Sequence, residues 1–149
     1  MKKPEYLWQP ELGIAYCTIY YKDLEFCGMA VCHPDDNDMK SKLTGETIAE
    51  ARAFISYLLH IRDYEIRPQL KALYQLYYSM KHSSQFTPRS YEAIMLYKQI
   101  HNLENDLANI KTEIANTKTF LKEYIAQKEK DHATIREYHK KKISGENNQ

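Results

Sequence analysis

Glycine and proline are scarce in this chain, four and five among 149 residues. That leaves too few turn-forming positions for a many-stranded sandwich, so long regular elements, mainly helix, are expected. No apolar stretch approaches the roughly 20 residues that a membrane helix needs. The start, Met1-Lys2-Lys3-Pro4-Glu5, has no apolar signal core. A cytoplasmic protein with no membrane partner is the expectation. Cysteine is sparse and odd in number. Cys17, Cys27 and Cys32 lie in apolar surroundings and read as reduced, packed thiols, not as a disulfide framework. A Walker-type phosphate loop, a dinucleotide fingerprint, HExxH and GxSxG are all missing. Nothing in the sequence asks for a cofactor, and an enzyme is not expected.

The residues present are 43% apolar and 28% charged, the ordinary globular range, and 149 of them suffice for one folding unit with a single modest core. Thirteen tyrosines stand out. Each combines an apolar ring with a hydroxyl that needs water or a partner, which suits half-buried helix seams and interfaces. The net charge of +1 hides an asymmetry: up to Glu50, five lysines face nine carboxylates, so the remainder is net basic, most visibly at His139-Lys140-Lys141-Lys142. An acidic head disfavours nucleic acid as a ligand, and on the helices Glu104, Asp106, Glu113, Glu123, Glu129 and Asp131 interrupt any basic face.

Ile14–Tyr21 and Phe26–Val31 are rich in β-branched, aromatic and other apolar types, and the polar Lys22-Asp23-Leu24-Glu25 between them can close a hairpin. Tyr6–Gln9 can add a third strand. By period-two alternation Ala15, Cys17 and Ile19 share one face of the second strand, and Ile14, Tyr16, Thr18 and Tyr20 the other. Both faces are partly apolar, so something must cover them.

From Glu46 the period changes. Ile55, Leu59, Arg62, Ile66, Leu70, Leu73, Tyr77 and Met80 recur at helical spacing, with Thr44 or Thr47 as candidate caps and a kink expected near Glu65 because Pro68 removes a backbone donor. His82–Pro88 reads as a connection, with Thr87 as a cap and Pro88 opening a second helix. That helix carries the clearest signal in the chain, a heptad stripe of Leu96, Ile100, Leu103, Leu107, Ile110, Ile114, Thr117, Leu121 and Tyr124. The fold class expected is therefore α+β and mostly α. A short antiparallel hairpin or three-stranded sheet (1–45, with an acidic loop) is followed by a long antiparallel two-helix coiled-coil hairpin (46–140, with helices 46–81 and 88–139) and a disordered tail (141–149). The second helix outruns the first, and the overhang with Tyr124, Ile125, Ile135 and Tyr138 must pack on the β unit or on another subunit. A two-helix hairpin with one seam rarely stands alone, so a homodimer is expected.

The junction between strands and helices is the candidate binding region: His33, Asp35, Asp36, Asp38, Thr44, Gly45 and Arg52. Three carboxylates within four residues suit a hard cation, and amides at a Thr-Gly helix start suit a phosphate. The same aspartates also suit plain Asx turns, the full calcium-loop spacing is absent, and Arg52 can equally make a structural ion pair with the loop. A zinc site on Cys27, Cys32 and His33 is disfavoured because residues 27 and 32 differ in strand parity, and a Cys32–His33 nucleophilic pair lacks an orienting third residue. No metal site is expected.

Gly28-Met29-Ala30-Val31-Cys32-His33-Pro34-Asp35-Asp36-Asn37-Asp38, the TGxxIAxxRA stretch from Thr44 to Ala53 and the Tyr-rich hairpin that follows resemble a group of small proteins encoded by phages and prophages of Gram-positive bacteria. The resemblance spans most of the chain and implies a setting, not a mechanism. It implies a non-enzymatic protein, acting in the host cytoplasm as an inhibitor or modulator of a host or defence protein. A protein binding a metal or nucleotide phosphate through residues 33–52, and a phage-assembly or nucleic-acid-binding protein, are the alternatives.

Overall fold

A computed structural model describes residues 2–31 and 42–147. The chain is mostly helical, with a three-stranded antiparallel sheet followed by helices. The strands are β1 (Glu5–Gln9), β2 (Ile14–Tyr21) and β3 (Leu24–Val31), in that order across the sheet. The helices are α1 (Lys42–His60), α2 (Arg67–Lys81) and α3 (Tyr91–Asn147), with a π-helical turn, Ile61–Ile66, between the first two. The chain divides into two compact units, Met1–Ser56 with Thr117–Gln149, and Tyr57–Asn116. The division falls within α1 and α3.

In the first unit, alternation along β2 sets the core. Ala15, Cys17 and Ile19 are buried and sit opposite Ala30, Gly28 and Phe26 of β3, while Trp8 and Tyr6 of β1 flank Ala15 and Cys17. Ala49 and Ala53 of α1, with Ile48 and Phe54, pack on this inner face. Burying a side chain the size of Ile19 contributes about 2 kcal/mol. The middle of the face is built from small residues on both sides, so helix and sheet approach closely. A Cβ at position 28 would run into the Ala49 carbonyl oxygen and lie 2.5 Å from the Ala53 backbone nitrogen, so only glycine fits there.

The β2–β3 turn is tighter than the sequence suggests. Leu24 and Glu25 belong to β3, where they pair with Tyr21 and Tyr20, leaving Lys22-Asp23 as the turn. Lys22 takes φ 54°, the left-handed conformation that lets a two-residue connection match strand twist. The two extra ladder pairs outweigh the local polarity that marked residues 22–25 as loop.

The first helix begins at Lys42, four residues before the expected start, and runs straight through Gly45. Thr47 is inside it and does not cap it: its hydroxyl donates to the Leu43 carbonyl at 2.7 Å. The disturbance expected from Pro68 is present as a π turn containing Glu65. The Arg67 amide donates to the Arg62 carbonyl, five residues back, and Pro68 follows within the first two residues of α2, where a missing donor costs least. Asp63, in the same turn, accepts hydrogen bonds from Nε and Nη2 of Arg62 (2.8 and 3.0 Å) and from Nη1 of Arg67 (2.9 Å).

The second unit holds the connection and the start of α3. Ser90 is the cap in place of Thr87, since its hydroxyl accepts the Ala93 amide at 3.2 Å, while the Thr87 carbonyl accepts the Ser90 amide and closes a turn over Pro88. The Phe86 ring meets Tyr77 edge-on at 6.3 Å, and the Tyr74 hydroxyl donates to Glu104 at 2.9 Å, joining α2 to α3. Leu70, Ala93, Leu96 and Ile100 are buried. At its other end α3 continues past the expected residue 139 to Asn147. Lys140, Lys141 and Lys142 are good helix formers.

Candidate functional site

His33, Asp35, Asp36 and Asp38, with Cys32, lie outside the described residues. The other three candidates sit on α1, and two of them, Gly45 and Arg52, meet the sheet. Gly45 is buried, and a Cβ there would lie 3.0 Å from the Ala15 Cβ and 3.2 Å from the Trp8 ring. Arg52 donates from its guanidinium to the Met29 carbonyl of β3 at 2.6 Å, so its partner among the described residues is a strand carbonyl, not a carboxylate. Thr44 is half-buried one residue before Gly45.

These placements give the TGxxIAxxRA pattern a physical meaning. Gly45, Ile48, Ala49, Arg52 and Ala53 recur every three or four residues, which puts them on one helix side, and each meets the sheet. The small residues allow the approach, and Arg52 satisfies a carbonyl on an edge strand, a means of closing an edge to further pairing.

The thiols stand apart. Cys17 is fully buried on the inner face, and burial first, then the Glu50 charge, push its pKa up to about 11. Cys27 is exposed, next to Thr18 at 3.6 Å, and shares no face with Cys17 because it pairs with residue 18. The Tyr6 hydroxyl is also pushed up to about 12, by desolvation and then by donating to Glu50. Both shifts favour the neutral, protonated forms, so neither group is an activated nucleophile at neutral pH. Among the described residues no group of three or more His, Cys, Asp or Glu could hold a metal ion. None of the described helices is long and apolar enough to cross a membrane.

What the described surface offers instead is apolar area. On α2 and the first turns of α3, Tyr74, Leu76, Tyr78, Ile94 and Tyr97 are exposed, and an open groove of about 500 Å³ runs between Gln69, Ala72 and Leu73 on one side and Gln99, Asn102 and Leu103 on the other. The stripes read from the sequence include Leu73 and Leu103 of the groove but pass over the exposed Tyr74, Leu76, Tyr78, Ile94 and Tyr97, which lie off them. Their signal in the sequence is a surplus of Tyr, Leu and Ile beyond what one seam needs. No family model, curated protein or solved structure matches the chain.

Proposed function

We propose that the chain is a non-enzymatic interaction protein that works as a homodimer and, in the phage or prophage setting implied by its resemblance, binds and modulates a host or defence protein. The observation that carries this reading is the apolar surface of the second unit. Leu76 is 52% and Ile94 44% exposed, and exposed Tyr91 and Tyr97 flank Ile94 at helical spacing. Large apolar residues clustered on a surface mark interaction sites more often than chance exposure does.

The helices are read as an antiparallel coiled-coil hairpin. In support, Leu96, Ile100 and Ile114 of the heptad stripe are buried and Leu103, Leu107, Ile110, Leu121 and Tyr124 half-buried, while the Tyr74–Glu104 hydrogen bond ties α2 to α3. A stripe that stays half-buried in one chain is completed by a second.

The test is capture from a host lysate, comparing the intact chain with a Leu76→Lys, Ile94→Lys variant whose circular dichroism is unchanged. A host protein retained by the first and lost by the second is expected. Recovery of the same proteins by both, or of none by either, overturns the reading.

A further inference from the structure

Two uncovered surfaces in the first unit match each other. The first is the outer face of the sheet. While α1 covers the inner face, the outer one carries Leu7, Tyr16 and Met29 in one cross-strand row and Ile14 with Val31 in the next. Leu7 is 55%, Met29 45% and Val31 60% exposed. The same face bears Glu5 and Glu25 on either side of Tyr20, whose hydroxyl donates to Glu5 at 2.8 Å and whose ring Lys2 overlies. It belongs to the acidic part of the chain.

The second surface is the end of α3. Thr117, Leu121, Tyr124, Lys128 and His132 form a half-buried row at helical spacing. Ile135 continues the row, with Tyr138 to one side of it and Ile143 to the other, and all three are exposed. The stripe outlasts its cover, and there it is surrounded by His139, Lys140, Lys141 and Lys142, all exposed. One surface is apolar with carboxylates, the other apolar with ammonium groups.

From this complementarity we infer that the 135–143 segment of α3 in one copy packs on the outer sheet face of a second copy. The inference rests on the self-association part of the proposed function but uses other surfaces than α2 and the start of α3. A two-fold arrangement lets each copy give its helix end and receive the other's, so association closes at two. Ile135 and Tyr138 supply the buried contact, and lysines meeting Glu5 and Glu25 set its direction. Opposite charges at the rim of a contact mainly select the partner and its orientation.

The experiment is sedimentation velocity on the full chain and on two charge-reversed variants, K140E/K141E/K142E and E5K/E25K, with thermal unfolding to confirm that both fold. Each variant alone places like charges together and is expected to associate at least about tenfold more weakly than the unaltered chain. Mixed in equal amounts they carry opposite charges on both matching surfaces, so association returns. Variants that associate as the unaltered chain does, or a mixture that does not recover, overturn the inference. If either result is accompanied by dissociation of a folded Leu107→Lys, Ile110→Lys variant, the proposed helical dimer stands without this contact. A monomeric unaltered chain removes both.

Discussion

At the scale of single residues, Gly28 and Cys17 show how tightly α1 sits on the sheet. Gly28→Ala has no room for its methyl group against the Ala49 carbonyl and the Ala53 nitrogen, both of them backbone atoms that cannot rotate away. The helix must shift, and a loss on the order of 3 kcal/mol is expected by denaturant titration, whereas alanine at Gly145 in α3, where nothing lies nearby, should cost no stability. Cys17 gives a pH signature. Its pKa moves from 9.0 to about 11 on folding, so between those values only the unfolded chain gives up the proton. The stabilising preference for the neutral thiol is complete below pH 9 and is lost as the pH rises toward 11. Tyr6, moved from 10.0 to about 12, extends the fall to higher pH. The unfolding temperature should drop between pH 9 and 11, and Cys17→Ala should drop less over that interval. Equal drops would show that the thiol does not titrate with folding.

Among the elements, what the sequence makes legible is periodicity, and what it conceals is where two elements approach closely. The three strands, the inward set Ala15, Cys17 and Ile19, and the heptad stripe of α3 all follow from spacing alone, because side-chain direction has period 2 in a strand and near 3.6 in a helix. The start of α1 is hidden for a different reason. Gly45 and Thr44 are typical of a helix start, yet the gain from packing Gly45 on Ala15 and Trp8 outweighs the modest propensity cost of glycine in a helix. Arg52 resembles an anion ligand when read by itself. Only the register that places Met29 on the edge of the sheet shows its hydrogen-bond partner. Thr87-Pro88 likewise fits a cap, but the turn it forms passes that role to Ser90. Ser90→Ala should therefore destabilise by about 1 kcal/mol and Thr87→Ala by much less, measured by chemical denaturation. The reverse ranking would return the cap to Thr87. At the π turn, acid should weaken the Arg62–Asp63–Arg67 cluster. Its hydrogen bonds from Arg62 hold the Asp63 carboxyl below its ordinary value, so the stability it lends is present above the usual carboxylate range and is lost as the pH falls below it.

For the molecule as a whole, composition and burial point the same way. A chain with thirteen tyrosines and few glycines builds long helices with more apolar side chains than one copy covers, and places an acidic head and a basic helix end in the same chain. A monomer would leave the half-buried Leu103, Leu107 and Ile110 of α3 partly in water, together with Leu7, Met29 and Val31 of the sheet. Burial of each large side chain in an interface contributes about 1.5–3 kcal/mol at most before the loss of free motion is subtracted, so several must act together. The most direct measurement is therefore the mass of the chain in solution. Sedimentation velocity across the micromolar range should give the mass of two chains, against 17.7 kDa for one, and Leu107→Lys with Ile110→Lys should shift the population toward the single chain. A single 17.7 kDa species at every concentration would contradict the account.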